Sequence, residues 1–181
     1  MTTAAQLELL KYPIGKYNRP STISETKLAE WIGDIEALPS KLNNLVSDFT
    51  EQQLDTPYRV DGWTVRQVVH HLVDSHVNSY VRYKWTLTED KPTIKAYHED
   101  RWAELDDYKA PIDTSLQMLE ALHKRWVYLL KRLTKDDLSR TFIHPEHNTE
   151  ISLAVLTSIY SWHCRHHFAH IEHLAKRKGW I

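Results

Sequence analysis

The apolar positions of the chain fall into four long stripes with helical spacing. A first segment, through Pro20, carries Tyr12, Pro13, Gly15, Tyr17 and Pro20 without an apolar period and reads as an ordered arm or loop. Beyond it Trp31, Ile32, Ile35, Leu38, Leu42, Leu45, Val46 and Phe49 recur at three- and four-residue steps, which places them on one face of a helix opened at Ser24 and Glu25. A kink is predicted at Pro39, because proline removes a backbone donor and crowds the preceding turn. Asp55 to Gly62 holds Pro57 and an Asp-Gly pair, a turn signal, and Thr64 then stands where an N-cap hydroxyl is wanted. The second helix runs from Val65 to about Thr88 with Val68, Val69, Leu72, His76, Tyr80 and Tyr83 along its face.

Lys91 to Pro111 is a long connection, polar and aromatic by turns, with one short helix predicted around Glu99 to Leu105. Asp113 then caps a third helix striped by Leu116, Leu119, Leu122, Trp126, Leu129, Leu130 and Leu133. Thr134 to Arg140 reads as a short cap-started turn and Phe142 to Asn148, with Pro145, as loop. The fourth helix runs from about Ser152 until Gly179 stops it. With no convincing strand set, the expected fold is all-α, a four-helix bundle with a long crossover connection.

Composition narrows the picture. A chain of 181 residues with 41% hydrophobic content suits one core, and with 4 Gly and 7 Pro it shows no linker or low-complexity tract, so a single domain over 1–181 is expected. Lys and Arg total 23 against 24 Asp and Glu, a net charge of -1, which gives no electrostatic footprint for nucleic acid. One cysteine fits a reducing compartment, and the expected location is the cytoplasm. No apolar run approaches the ~18 residues a membrane span needs, and Met1 to Leu10 lacks the pattern of an export signal.

Two counts are high, 12 His and 7 Trp. The histidines cluster in two runs, His70, His71 and His76 on the second helix and His163, His166, His167, His170 and His173 on the fourth. On the fourth, the inward stripe reads Leu156, Ile159, Tyr160, His163, His167, Ile171 and Leu174. His163 and His167 are therefore one turn apart on one face, with Cβ atoms roughly 5–6 Å from each other, close enough for both imidazoles to reach one ion. Packed core histidines bonded to carbonyls are the alternative. On the second helix, at ~100° per residue, His76 lies near the middle of the stripe, His71 on its flank beside Val68 and Ser75, and His70 on the far side. Periodicity leaves the third ligand open between His76 and His71, with a slight preference for His76.

The stretches GWTVRQVVHHLVDSH, Gly62 to His76, and WHCRHHFAHIEHL, Trp162 to Leu174, together resemble the DinB-like superfamily and, within it, the YfiT-type metal-dependent hydrolases. The similarity runs nearly the whole length and includes the early YPIGKY and the LDTPYR before the second helix. In that family a Trp-Ser/Thr-Val opening precedes a metal-binding His by eight residues, and counting from Trp63 lands on His71, followed by Leu72. The other two ligands match His163 and His167. The resemblance thus implies one divalent ion per chain, Zn or Ni, on His71, His163 and His167, in a bundle that pairs as a homodimer.

Three imidazoles leave coordination positions open, the arrangement of a catalytic site. Such an ion can lower the pKa of a bound water toward neutrality, or bind and deprotonate a thiol. The first gives a hydrolase. The second gives a thiol S-transferase, and by resemblance some DinB-like relatives use bacillithiol or mycothiol to open small electrophilic substrates. Arg66, Arg82, Lys84 and Arg165 could meet the carboxylates of an acidic thiol such as bacillithiol, or simply form solvated helix faces. Asp74 and Glu172 are candidates to orient a ligand imidazole. Cys164 lies about 100° round the helix from His163 and reads as a small buried thiol. His166 and His170, also one turn apart, form a second candidate pair without a nameable third partner, while Trp63, Trp126 and Trp162 read as core or pocket wall. No general base is assigned. The competing function is a non-catalytic metal-binding or stress-response bundle.

Overall fold

In the computed structural model, which describes residues 3–146 and 148–181, the stripes become four long helices joined by short ones. The chain opens with α1, Ala4–Lys11, where an arm or loop was expected. A capping box made by Thr3 and Gln6 holds this helix, although none of its residues is buried. Only Leu7 and Leu10 of its apolar residues are half-buried, too few to leave an apolar period to read. The rest of the arm is ordered by α8 (Leu153–Lys178): Lys11 gives its carbonyl to His170 Nε2 at 3.0 Å, Gly15 gives its carbonyl to Trp162 Nε1 at 3.1 Å, and the Tyr17 hydroxyl meets Ser158 Oγ at 2.7 Å.

The first long helix, α2 (Glu25–Val46), starts on the Ser24 hydroxyl and runs through Pro39. The Thr50-capped α3 (Glu51–Leu54) and a turn lead to α4 (Val65–Thr88). The connection after α4 contains α5 (Glu99–Trp102) and one 3₁₀ turn, Asp106–Lys109, before α6 (Asp113–Leu130). Asp113 does not cap α6. The N-cap position is Ile112, without a side-chain hydrogen bond, and Asp113 is the first helical residue, where its charge complements the helix dipole. A capping box of Thr134 and Asp137 starts α7 (Lys135–Ser139). Gly179 ends α8 in the left-handed conformation, φ 67°, as the C-terminal glycine should.

The segment expected as loop between α7 and α8 contains a hairpin. Strand β1, Thr141–His144, pairs antiparallel with β2, Thr149–Ser152, in a register from Thr141 opposite Ser152 to His144 opposite Thr149. Phe142 is fully buried, and the Arg140 guanidinium ties the base of β1 to the Thr86 and Glu89 carbonyls at the end of α4. The Ile143 carbonyl and N–H bond to Ile94 and Pro92, so the long connection runs beside the hairpin. His147 lies outside the described residues.

Helix α2 packs on α6 and α8, and α4 packs on the same two from the other side. Ile35, Leu42, Leu72, Tyr83, Leu119, Trp126, Leu130, Leu156, Ile171 and Leu174 meet in the buried centre. Burying side chains of this size contributes roughly 1.5–3 kcal/mol each, and this term holds the bundle together against chain entropy. Among the described residues no helix is long and apolar enough to cross a membrane.

Candidate metal centre

Local signals set the start of α4, and the start of α4 places His71. The Thr64 hydroxyl accepts from Gln67 N–H while the Gln67 side chain accepts from Thr64 N–H, a capping box that fixes where the helix begins. Trp63, just outside, lays its ring 4.6 Å from that of His71 and stacks at 6.3 Å on His167. From α8, His163 and His167 project toward α4 one turn apart. The three side chains His71, His163 and His167 each offer a ligand atom within 4.8 Å of the others.

The three rings stand at one wall of a cleft of about 370 Å³. His71 and His167 are buried and His163 is half-buried. Burial is the first cause that depresses all three imidazoles: His71 is held at about 4, with the charge of His166 adding to the effect, and His163 and His167 lie well below the ordinary histidine range. All three are neutral at pH 7 and so offer lone pairs. His71 Nε2 and His163 Nε2 face each other at 3.3 Å, and Nδ1 of both His71 and His167 is buried without a hydrogen-bond partner among the described residues. Neutral nitrogens crowded together, with polar atoms unsatisfied around them, are what a divalent cation resolves, so the donor set fits Zn²⁺ or Ni²⁺.

His76, favoured slightly by periodicity, does not join the group. Both of its ring nitrogens are engaged, Nδ1 with His123 at 2.7 Å and Nε2 with His163 Nδ1 at 3.1 Å. His70 is occupied too, by Ser115 Oγ at 2.8 Å and the Ala110 carbonyl at 3.1 Å. His166 and His170 gain a third neighbour in His167 itself. That grouping shares a residue with the first, and His170 Nε2 is already bonded to the Lys11 carbonyl.

The carboxylates expected to orient the ligands are employed elsewhere. Asp74 accepts from the Tyr108 hydroxyl at 2.7 Å, and Glu172 pairs with Lys176 at 3.0 Å. Of the four cations considered, buried Arg66 is locked onto Glu51 and Asp55, Arg165 pairs with Asp34 at 3.2 Å, and Lys84 is exposed near the Tyr80 ring. Arg82 alone of the four lines the cleft, 9% exposed, with its Nε buried and without a hydrogen-bond partner among the described residues. Trp63 and Trp162 are cleft wall and Trp126 is core. Cys164 is a free buried thiol whose pKa burial pushes up.

Tyr97, Glu99, His144 and Glu146 also line the cleft, and the sequence reading singled out none of them. They arrive from the long connection and the hairpin, where no period marks an inward face. Burial raises the Tyr97 phenol, which therefore stays protonated at neutral pH. Ser75 and Tyr160 complete the wall beside His163, with the Tyr160 hydroxyl donating to the Ser75 carbonyl at 3.0 Å.

A helical bundle with imidazoles from two helices gathered at one cleft is the arrangement expected of DinB-like proteins. The DinB superfamily model matches residues 34–171, and the chain belongs to that superfamily. A protein of Bacillus cereus named "Putative metal-dependent hydrolase" is 57% identical over 171 residues, covering 94% of this chain and 98% of the relative. A Bacillus thuringiensis protein of the same description is 56% identical over the same shares. Among solved structures, YfiT from Bacillus subtilis, described as a probable metal-dependent hydrolase with an unusual four-helix bundle topology, superposes with a TM-score of 0.93 at 48% identity, over 96% of this chain and 99% of that one.

Proposed function

We propose that the chain is a metal-dependent hydrolase of small molecules, holding one Zn²⁺ or Ni²⁺ on His71, His163 and His167. The observation that carries this reading is the convergence of three neutral imidazoles on the wall of an open cleft. The names borne by relatives at 56–57% identity support it. A divalent ion on three nitrogens supplies Lewis acidity toward a water or a thiol. The chain's own residues do the rest: Trp63 packs the ligand rings, Arg82 brings a guanidinium to the cleft, and the protonated Tyr97 hydroxyl can donate to a substrate oxygen. Glu99 and Glu146 are the carboxylates placed to accept a proton within the cleft.

Arg82 favours a second reading as well. A buried arginine whose Nε has no hydrogen-bond partner among the described residues suits an anionic group, and a small acidic thiol such as bacillithiol brings one, which would make the same site a thiol S-transferase acting on electrophiles. Either activity belongs to a cytoplasmic homodimer that engages neither nucleic acid nor membrane, an assembly that light scattering of the purified protein checks.

The experiment is a paired assay on Zn²⁺- and Ni²⁺-loaded protein, ester and amide hydrolysis against loss of monochlorobimane with bacillithiol. Turnover of the first kind that disappears on chelation supports the hydrolase. Thiol-dependent loss of the electrophile, with a raised KM for bacillithiol in Arg82→Gln, supports the transferase. Full metal loading without turnover in either arm leaves the non-catalytic binding protein. Less than about 0.2 ion per chain after loading removes the metal reading altogether.

A further inference from the structure

Four groups stand in one line across the bundle, one from each long helix, ending on a proposed ligand. Pro39 has no N–H, so the Ile35 carbonyl of α2, four residues back, lacks its helical partner. His123 of α6 fills that gap, with Nδ1 2.6 Å from the Ile35 oxygen. His123 Nε2 lies 2.7 Å from His76 Nδ1 on α4, and His76 Nε2 lies 3.1 Å from His163 Nδ1 on α8. His123 and His76 are 2% and 0% exposed. None of the hydrogen bonds these rings make among the described residues is to a carboxylate, so a buried charge here would stand uncompensated, and each ring is neutral and carries a single proton.

Valence then dictates where every proton sits. A carbonyl oxygen only accepts, so the His123 proton is on Nδ1 and His123 Nε2 is a bare acceptor. His76 must donate to it from Nδ1, which leaves His76 Nε2 bare. His163 must donate to that atom from Nδ1, which leaves His163 Nε2 bare. This last nitrogen is the one that faces His71 Nε2.

We propose that His123 and His76 are positioning residues, which carry the polarity of the Ile35 carbonyl across the core, fix His163 as the Nδ1–H tautomer and hold its Nε2 lone pair toward the metal position. Only this last link rests on the proposed metal site. Ligand histidines ordinarily find their orienting acceptor one bond away, in a carboxylate, carbonyl or water. Here the carbonyl acts through two further imidazoles. A neutral chain orients the ligand without adding negative charge, so the ion keeps more of its Lewis acidity than it would beside a carboxylate. Pro39 is the origin of the device, because its missing N–H frees the first acceptor.

The test reads the ring nitrogens. Long-range ¹H–¹⁵N correlation on the full chain, ¹⁵N-labelled and stripped of metal, separates protonated from bare nitrogens. The expected pattern at pH 7 is Nδ1–H with bare Nε2 on His123, His76 and His163. A proton on Nε2 of His76 or His163 overturns the proposal. In His76→Phe the His163 signals should lose the single-tautomer pattern, and Zn²⁺ affinity measured against a chromophoric chelator should fall by about 10–100-fold. His76→Gln, whose amide oxygen can accept from His163 Nδ1–H, should recover part of that loss. Wild-type Zn²⁺ affinity in His76→Phe overturns the positioning role, and if that variant does not fold, the wild-type nitrogen pattern decides. The metal reading fails separately: a chain with the expected tautomers that binds no Zn²⁺ supports the relay and ends the ligand assignment.

Discussion

Adjacent histidines on one helix have opposite fates. His70 is bonded to Ser115 and the Ala110 carbonyl, whereas His71 turns one ring nitrogen to His163 and leaves the other buried with no hydrogen-bond partner among the described residues. Alanine at His71, His163 or His167 is therefore expected to take bound zinc from about one ion per chain to near zero, read by elemental analysis after loading. His70→Ala should keep the ion and lose stability by the roughly 1–3 kcal/mol of partners left unsatisfied. The same burial sets a pH dependence in the metal-free chain. His71, His123 and His166 are depressed to about 4, and His170 to about 3, from an ordinary 6.5. Depressed folded values mean that the unfolded chain binds more protons below pH 6.5, so stability is full above that pH and drains away as pH falls toward 4. Each such group removes up to about 1.4 kcal/mol per pH unit inside the window. Thermal melts from pH 7.5 to 5 should show a steep drop on the acid side, and a flat profile would contradict neutral burial of these rings. The inward direction of His163 and His167 was legible from i, i+4 spacing on an apolar stripe. His71 was not, because the cleft opens on the flank of the α4 stripe while the middle is filled by His76, whose two nitrogens are spent inside the core. Counting from Trp63 by family resemblance names His71, the α4 imidazole that stands with His163 and His167, where helical periodicity left His71 and His76 open.

Helix ends were as readable as helix faces where side chains carried the signal. Thr64, Ser152 and Gly179 stand at the boundaries the sequence marks. Asp113 shows the limit: its residue type suits a cap, but the chain enters α6 one residue earlier and uses the carboxylate at the first turn instead. The hairpin was illegible for a different reason. Strands of four residues offer at most two alternations, and only Phe142 among them is fully buried, so nothing distinguishes TFIH and TEIS from loop. Tyr97, Glu99, His144 and Glu146 were missed for that reason, since they sit on connections whose inward face tertiary packing alone defines. The Thr64 box has a measurable consequence. Thr64→Ala should cost about 1 kcal/mol of unfolding free energy in urea titration. Because the box sets the N-terminal end of the helix that carries His71, zinc affinity should fall as well. A loss of stability with zinc affinity untouched would show that packing against Trp63, rather than the cap, holds His71 in place.

Across the whole molecule, the proposed metal position and the histidine relay both tie α4 to α8, by different means. The relay runs from α2 through α6 and α4 to α8 by hydrogen bonds inside the core, and the three proposed ligands join α4 to α8 again at the cleft. An ion held by both helices favours the folded chain over the unfolded one by mass action. Free zinc at 100 times its Kd should add about 2.7 kcal/mol, which for a chain of this size corresponds to a rise in Tm of roughly 5–10 °C. Removing the ion with a chelator should reverse the rise, and His167→Ala, which deletes a ligand outside the relay, should abolish it. His123→Phe, which cuts the relay two links from the ion, should lower the metal-free Tm while leaving a smaller zinc-dependent rise, because the ligands remain but His163 is no longer held in one tautomer. Differential scanning calorimetry with and without zinc on these three proteins separates the contributions. Equal zinc-dependent rises in wild type and His167→Ala would place the ion elsewhere, with the neighbouring His166 and His170 as the first residues to substitute.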